Sequence, residues 1–502
     1  MAVVSELLAR RADERPDLPA FLSGSDGRAL TWRFLAENAD ALRALAAERN
    51  IPAHGRIGLV LEDPLFFTTT YLGALAAGLT VVPIDPRLTA AERTASLATL
   101  KVDVLAADQP ETLAAQAEIE TWAISADGPE LVRGSTARPS ERAAQRPAVL
   151  LASSGTTGTP KGIPLSEWQL LDAAARVAEH HGLTPDERGY TPLPLFHVNA
   201  QVMGLLATVV SGASLVLDRR FDKNEYWARV ARWSPTWLNA VPAILTSLLD
   251  VPAPPADLAA RIRFARSASA PLPEATSRAF AEHTGVSVLE TYGMTEAAGQ
   301  ITANPIDPAA RRVGSVGLPV GLELAVLGPD DEPVAPGEEG MVALRGPQIV
   351  EHYLTLSDVD DERLRPARDE SGWLRTGDLG TRDEAGFVRL AGRADDVINR
   401  GGEKIHPQEV ENVLLAHPGV RSAAVVAAPH DRLGQVAVAF VTAEPEAVDG
   451  LAEELHVLCE QRLTRYKRPT QIEITGALPT GPTGKVLRRA LRAGLAASGG
   501  SR

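Results

Sequence analysis

Cysteine is almost absent from this sequence of 502 residues; there is one, Cys459. A lone cysteine cannot close an intramolecular disulfide. With no CxxC pair and no Cys/His cluster, the ligand spacing of a metal site is missing too. The apolar helical run at 455–463 marks Cys459 as a packed or surface helix residue rather than a nucleophile. Long apolar runs are also lacking. The most hydrophobic stretches contain glycine and stop short of the roughly 20 residues that a membrane crossing needs. The opening segment, MAVVSELLARRADERPD, meets charge by Glu6 without an apolar core, so neither a signal peptide nor a membrane span is expected. A cytoplasmic enzyme is the simplest expectation, and the small, polar end AASGGSR is expected to fray. Positive charge is in deficit: 50 Lys and Arg against 64 Asp and Glu leave a formal charge of −14. Such a chain is a poor general binder of nucleic acid, so any site for a polyanion must be locally positive. There is no GxGxxG loop after a strand, no GxSxG elbow and no HExxH. Dehydrogenase, hydrolase and metalloprotease readings therefore lack support.

What is present is an ordinary globular composition, 45% hydrophobic and 23% charged, on a chain too long for one core. Apolar runs at 56–61 (RIGLVL), 80–84 (TVVPI) and 102–106 read as buried strands, with a helix at 66–77 closed by Gly78. This is a βαβ rhythm, and it implies a parallel sheet covered by helices. It recurs with strands at 148–152, 214–217, 237–241, 264–267 and 286–291 and helices at 168–181 and 203–210. Two α/β sheets of similar size are expected. Beyond about residue 315 Gly, Pro and acidic residues multiply, as in a smaller β-rich subdomain. After Arg393 a compact α+β unit of about a hundred residues follows, a usual domain size. It carries helices at 407–416 and 448–463 and strands at 422–427, 435–442 and 472–475. The expected fold class is thus α/β: an N-terminal domain, 1–394, of two parallel-rich sheets plus the β-rich piece, then a small C-terminal α+β domain, 395–502.

The segment SSGTTGTPKG at 153–162 follows directly on a predicted strand. Its glycines let backbone N–H groups approach a phosphate, Ser154, Thr156 and Thr157 add hydroxyls, and Lys161 adds charge. It is not a Walker A loop, because Lys161 is followed by glycine and the glycine spacing differs. A plain flexible linker rarely sits flush after a buried strand and rarely ends in Pro-Lys-Gly.

SSGTTGTPKG resembles the phosphate-loop signature of the adenylate-forming superfamily: acyl-CoA synthetases, peptide-synthetase adenylation domains and luciferases. The other signatures follow in the family's order: TYGMTE at 291–296, GWLRTGDL at 372–379, GRADDVINRGGEKIHPQE at 392–409, YKRP at 466–469 and PTGPTGKVLR at 479–488. Together they cover residues 150 to 490, closest in kind to AMP-dependent acyl-CoA ligases. The resemblance implies an ATP- and Mg²⁺-dependent enzyme that activates a small carboxylic acid as its acyl-AMP and passes the acyl group on, most simply to coenzyme A (CoA). It implies an ATP site built from Ser154, Thr156, Thr157, Lys161, Thr291, Tyr292, Gly293, Thr295, Asp378 and Arg393. Glu296 would be the Mg²⁺ ligand and Lys485 the lysine that reaches the carboxylate and α-phosphate. Asp395 would be the hinge of a mobile C-terminal domain. A second pose of that domain would present Arg400, Gly401, Gly402 and Lys404 along the path of the pantetheine arm.

These residue types suit the chemistry independently of the likeness. A carboxylate attacking an α-phosphate brings two anions together, so catalysis must supply positive charge and alignment. Each residue also has a bland reading. Glu296 sits well in a first helical turn, Asp378 in a Gly-Asp turn and Arg393 in a surface ion pair. Gly401 and Gly402 suit a plain turn, and Arg400 and Lys404 balance nearby acids. In the acyl pocket the resemblance points to His197 and Asn199 in LPLFHVNAQ and to Arg266, Ser267 and Ala270 in RSASAP. His197 is either a gate beside the acyl carbon or a satisfied core histidine. Arg266 either binds a second carboxylate of the substrate or is an ordinary structural arginine, the reading preferred. RFARSASAPL and GSVGLPVGLELAVL are similar to oxalyl-CoA-type synthetases, whereas FHVNAQ is more like carnitine- and aryl-type ligases. The acid is therefore left open among short dicarboxylic, fatty and aromatic classes. Two alternatives stand beside CoA ligation: transfer to an amine or a carrier-protein thiol, and an inactive module that binds acyl-AMP or CoA. No motif bears on the oligomeric state.

Overall fold

The computed structural model describes residues 3–109, 112, 119–126, 128–134, 146–153, 161–355, 363–444, 450–481 and 485–499. The expected site residues Ser154, Thr156 and Thr157 lie outside them.

Among the described residues two nine-stranded sheets dominate. In one, Arg56–Val60, Thr80–Pro83 and Val104–Ala107 pair in parallel. Ile57, Leu59, Val81 and Val104 are fully buried, which is why these strands read as unbroken apolar runs rather than alternating ones. The helix Pro64–Ala76 between the first two has Pro64 in its first turn and the Asp63 carboxylate accepting from the Leu65 and Phe66 amides. In the other large sheet Pro19–Ser23, Ser214–Leu217, Arg188–Thr191, Trp237–Ala240, Phe264–Ser267 and Val288–Met294 run parallel. The helix Glu167–His181 packs near them. It opens on a reciprocal Ser166–Gln169 capping box and closes on Gly182 at φ 58°.

A four-stranded antiparallel sheet, with Glu323–Leu327, Glu339–Arg345, Leu374–Arg382 and Val388–Arg393 in that order, forms the β-rich piece. One hydrophobic cluster runs from Val4 to Val388, and a separate one begins at Ile398. The second belongs to a five-stranded sheet flanked by the helices Pro407–Leu415 and Leu451–Arg462.

Three local readings change. The phosphate-loop segment joins the strands Val149–Ser153 and Lys161–Leu165, which pair antiparallel with Ser153 opposite Lys161. The strand Lys161–Leu165, on the far side of that segment, was not read from the sequence. The helix expected at 203–210 begins earlier, as a wide π-turn stretch over Asn199–Leu206 that continues as Ala207–Ser211. π stretches recur at functional sites, and this one carries Asn199. Helices Val4–Glu14 and Trp32–Glu48 were not anticipated.

Candidate active site

The strand Val288–Met294 leaves the parallel part of its sheet and turns back antiparallel through Gly299–Ala303. Ligands of open α/β sheets collect at such carboxyl ends. Here a cavity of about 1160 Å³ opens, lined by Thr291, Tyr292, Gly293, Thr295 and Glu296. The β-rich sheet contributes Asp378 and Arg393 to the same cavity, and the C-terminal unit contributes Lys485. Residues separated by nearly two hundred positions thus face one space.

Asp378 and Arg393 are opposite each other on neighbouring antiparallel strands. Arg393 Nη1 donates to Asp378 Oδ1 at 3.1 Å and to the Thr376 carbonyl at 2.8 Å. Tyr292 donates its hydroxyl to Asp378 Oδ2 at 2.5 Å. Burial and the adjacent Asp378 carboxylate raise the Tyr292 phenol well above its ordinary range, so it stays a neutral donor. Gly377 is required twice over. Its φ is 77°, and a Cβ there would stand 2.6 Å from Arg393 Nη2.

Glu296 is 7% exposed. Its Oε1 accepts from Lys161 Nζ at 3.2 Å and from the Tyr353 hydroxyl at 3.2 Å. Lys161 Nζ also lies 3.7 Å from the centre of the Tyr353 ring. Burial first, then Glu296, raises the Tyr353 hydroxyl's pKa beyond its ordinary range. Both hydrogen bonds fall on Oε1, leaving Oε2 without either, on a residue that lines the cavity. Among the described residues no group of three or more acidic, His or Cys side chains gathers to hold a metal. A hard carboxylate lining this cavity nevertheless fits Mg²⁺, which is usually held by one or two carboxylates with phosphates and water supplying the rest.

Lys485 immediately precedes Val486, which bridges to Thr480. By surface area it is exposed, yet it stands inside an open-mouthed cavity with protein on its sides. That desolvation, then the charge of Arg393, holds its ammonium below the usual lysine range despite Asp378 and Asp396. The helix behind it is anchored by Arg488, whose Nη2 donates to Glu411 Oε1 at 2.7 Å and Oε2 at 2.9 Å. Arg421 to Asp250, and His406 to Glu339 at 3.1 Å, tie the C-terminal unit to the rest in this pose.

The remaining expected residues are arranged differently. Asp395 is exposed in a short 3₁₀ turn, Ala394–Asp396. Arg400, Gly401, Gly402 and Lys404 are not among the residues lining the cavity. Gly401 and Gly402 form the two-residue loop between Ile398–Arg400 and Glu403–Ile405, with φ of 60° and 96°. A tight hairpin with both central φ positive accounts for the two glycines. Arg400 donates to the carbonyls of Arg465 and Tyr466 at 3.1 and 2.7 Å.

A second cavity, of about 830 Å³, is lined by His197, Asn199, Leu193 and Leu195, and shares Ala243 and Ser269 with the first. Burial pushes the His197 imidazole down to about 4, so it is neutral at physiological pH, and its Nε2 is buried without a partner. Ala270 lines the first cavity. Arg266 and Ser267 lie beneath, buried and outside both linings. Tyr353, Asn239, Ser269 and Glu290 were not singled out from sequence. Glu290 immediately precedes TYGMTE and lines the first cavity. Burial and then Glu274 push its carboxyl up to about 8. Its position against the motif was the available signal.

Among the described residues no helix is long and apolar enough to cross a membrane. The family profile for AMP-binding enzyme matches residues 8–354, and that for the AMP-binding enzyme C-terminal domain matches 409–485. A sulfoacetate–CoA ligase of Cupriavidus necator is 38% identical over 500 residues, 97% of this chain and 96% of its own length. An oxalate–CoA ligase of Arabidopsis thaliana is 36% identical over 347 residues, 68% of this chain and 66% of that protein, just under two thirds of the latter. The crystal structure of ATP-bound MatB from Rhodopseudomonas palustris superposes with a TM-score of 0.86 at 27% identity, over 98% of each chain.

Proposed function

The chain belongs to the AMP-binding enzyme family, and from that premise we propose that it is an ATP-dependent carboxylic acid:CoA ligase working through an acyl-AMP. In the first half-reaction a carboxylate oxygen attacks the α-phosphorus of ATP and pyrophosphate leaves. In the second the CoA thiol attacks the acyl carbon, and AMP leaves with the carboxylate oxygen. Relatives named as ligases of sulfoacetate and oxalate with CoA support CoA as the acceptor over an amine or a carrier protein.

One observation carries the assignment of roles: Lys485 shares a single cavity with Tyr292, Glu296, Asp378 and Arg393. In our reading Asp378 accepts the ribose hydroxyls, and Arg393, held by Asp378 and the Thr376 carbonyl, donates to the same sugar. Tyr292 flanks the base or the acyl group, and Thr295 donates to the α-phosphate. Lys485 places a positive charge between carboxylate and phosphate, where two anions must meet. Glu296 would hold Mg²⁺, which when bound neutralises phosphate charge and orients the leaving pyrophosphate. Lys161, kept in place by Glu296 and Tyr353, adds a second cation at the phosphate loop. His197 faces the acyl side as a neutral imidazole. Thioester formation would then need the C-terminal unit to turn about Asp395 and bring the Gly401–Gly402 hairpin, with Arg400 and Lys404, toward the site.

The test is pyrophosphate release over short dicarboxylic, sulfonated, fatty and aromatic acids, with and without CoA. Pyrophosphate from an acid and ATP, with CoA then releasing AMP and giving a thioester by mass, is the expected result. AMP release stimulated by simple amines but not by CoA would promote the amide-forming alternative. No pyrophosphate with any acid would favour the inactive binding module.

A further inference from the structure

Beneath the second cavity lies a buried cation with no anionic partner among the described residues. Arg266 is 2% exposed in the strand Phe264–Ser267. Its Nη1 donates to Asn199 Oδ1 at 3.0 Å and to Asn239 Oδ1 at 2.9 Å. Both acceptors are neutral amides, and its Nε is buried with no acceptor among the described residues. Burying an unpaired charge is costly, and natural cores pair such groups. Burial lowers this guanidinium only to about 9, which leaves it cationic at neutral pH.

The consequence is directional. A guanidinium has no acceptor, so the atoms of Asn199 and Asn239 that face it must be oxygens, and both amide nitrogens point away. Asn239 Nδ2 donates to Asn199 Oδ1 at 3.3 Å. Asn199 Nδ2 donates outward to Ser269 Oγ at 2.9 Å. Ser269 thus receives a hydrogen bond, and its own proton remains to be given to another acceptor. That hydroxyl stands at the junction of the two cavities, which both include Ser269 in their linings. Its backbone is also unusual. With φ at 74° it is a non-glycine residue in the left-handed region, a strain that persists only where surroundings impose it and that clusters at functional sites.

We propose that Ser269 is a specificity-determining donor, aimed through Asn199 by Arg266, and that the acid it selects is short and carries a second anionic oxygen group beside the carboxylate that is adenylated. This rests on the reading that the chain adenylates carboxylic acids. An alkyl tail would leave the serine proton and the arginine charge unanswered, whereas a sulfonate or second carboxylate answers both. The Arg266, Asn239 and Asn199 part of the chain is largely buried, where such bonds polarise one another, and Ser269 is exposed at its end, open to an entering acid.

The experiment uses the full chain with saturating MgATP and compares kcat/KM for pyrophosphate release with sulfoacetate and malonate against propionate and butyrate. The expected wild-type preference is for the doubly anionic acids. Ser269→Gly removes the hydroxyl while relieving the positive φ, so it folds at least as well. It lowers the dianion-to-monoanion ratio of kcat/KM by about tenfold to a hundredfold, the scale of a lost hydrogen bond to a charged group. The loss falls mainly in KM for the dianion. Asn199→Asp sets a carboxylate against Arg266 and turns the donor chain around. It lowers the same ratio without loss of thermal stability, which a purely structural role for Arg266 would not do. A wild-type preference for the monoanionic acids, or a ratio unchanged in both variants, overturns the proposal. Pyrophosphate release from no acid at all would instead overturn the adenylation reading, and this inference with it.

Discussion

Gly377→Ala tests the nucleotide side of the site, because Gly372 supplies a control in the same motif. Both glycines have left-handed φ, 77° and 84°. An alanine there costs about 1–2 kcal/mol of conformational energy at each position. The surroundings differ. At Gly372 the added Cβ meets only the Arg345 side chain, at 3.7 Å, an ordinary contact. At Gly377 it would lie 2.6 Å from Arg393 Nη2 and 3.0 Å from Cζ, too close for a real side chain. The guanidinium end must move, and the shift of Nη2 disturbs the Nη1 bonds to the Thr376 carbonyl at 2.8 Å and Asp378 at 3.1 Å. The charged hydrogen bond lost is worth about 1.5–3 kcal/mol, roughly tenfold to a hundredfold in the constant it supports. Both variants should therefore lose stability in denaturant unfolding, Gly377→Ala the more by the weakened Arg393 bonds. Only Gly377→Ala should raise the KM for ATP, by about tenfold or more, in a pyrophosphate-release assay at saturating acid. Equal ATP KM values in the two variants, or an unchanged value in Gly377→Ala, would refute the argument that Arg393 serves the nucleotide.

The other predictions concern the two sides of the cavity. Lys485→Ala should abolish pyrophosphate release from acid and ATP while largely sparing thioester formation from supplied acyl-AMP, and Asp395→Pro, by fixing φ at the turn, should do the reverse; equal damage to both half-reactions in both variants would sink the two-pose reading. Glu296→Gln keeps the size of the side chain but removes the carboxylate, so it should cut turnover by about 10²-fold and raise the Mg²⁺ concentration for half-saturation; an unchanged Mg²⁺ titration would exclude Glu296 as the ligand. Because desolvation and Arg393 lower the Lys485 pKa, adenylation should decline on the alkaline side before the ordinary lysine value of about 10.4, and Lys485→Arg should lose that limb. The sign for stability agrees: between the lowered folded value and the unfolded one the unfolded chain holds more protons, so this group's contribution favours folding more as pH rises.

How much of this could be read from residues alone depends on where the cause lies. The strands Arg56–Val60 and Thr80–Pro83 were legible because both faces are buried, so Ile57, Leu59, Val81 and Val82 leave an unbroken apolar signature. The helix Val4–Glu14 was not, because only Val4, Leu7 and Leu8 are buried and the rest is charged or small: Glu6, Arg10, Arg11, Asp13 and Glu14 beside Ser5, Ala9 and Ala12. The π-turn stretch at Asn199–Leu206 escaped because its residues are apolar nearly all round and show no helical stripe. At the site, motif order singled out Lys161, Glu296, Asp378 and Lys485 together. It said nothing of Tyr353, which joins Lys161 to Glu296 across a cation–π contact and a hydrogen bond.

Arg266 shows the limit most clearly. Its type and neighbours in RSASAP are compatible with a structural arginine, and what separates the readings is which side chains are not beside it. A buried guanidinium with a carboxylate partner would be inert scaffolding. The same guanidinium facing the oxygens of Asn199 and Asn239 leaves its charge open. No local pattern encodes that difference, because the two asparagines come from elements 40 positions apart and the missing acid is a property of the whole neighbourhood. The orientation it imposes reaches Ser269 only through the amide of Asn199. The specificity of the pocket therefore hangs on the direction of two amides, which a sequence can supply but only a folded chain can aim.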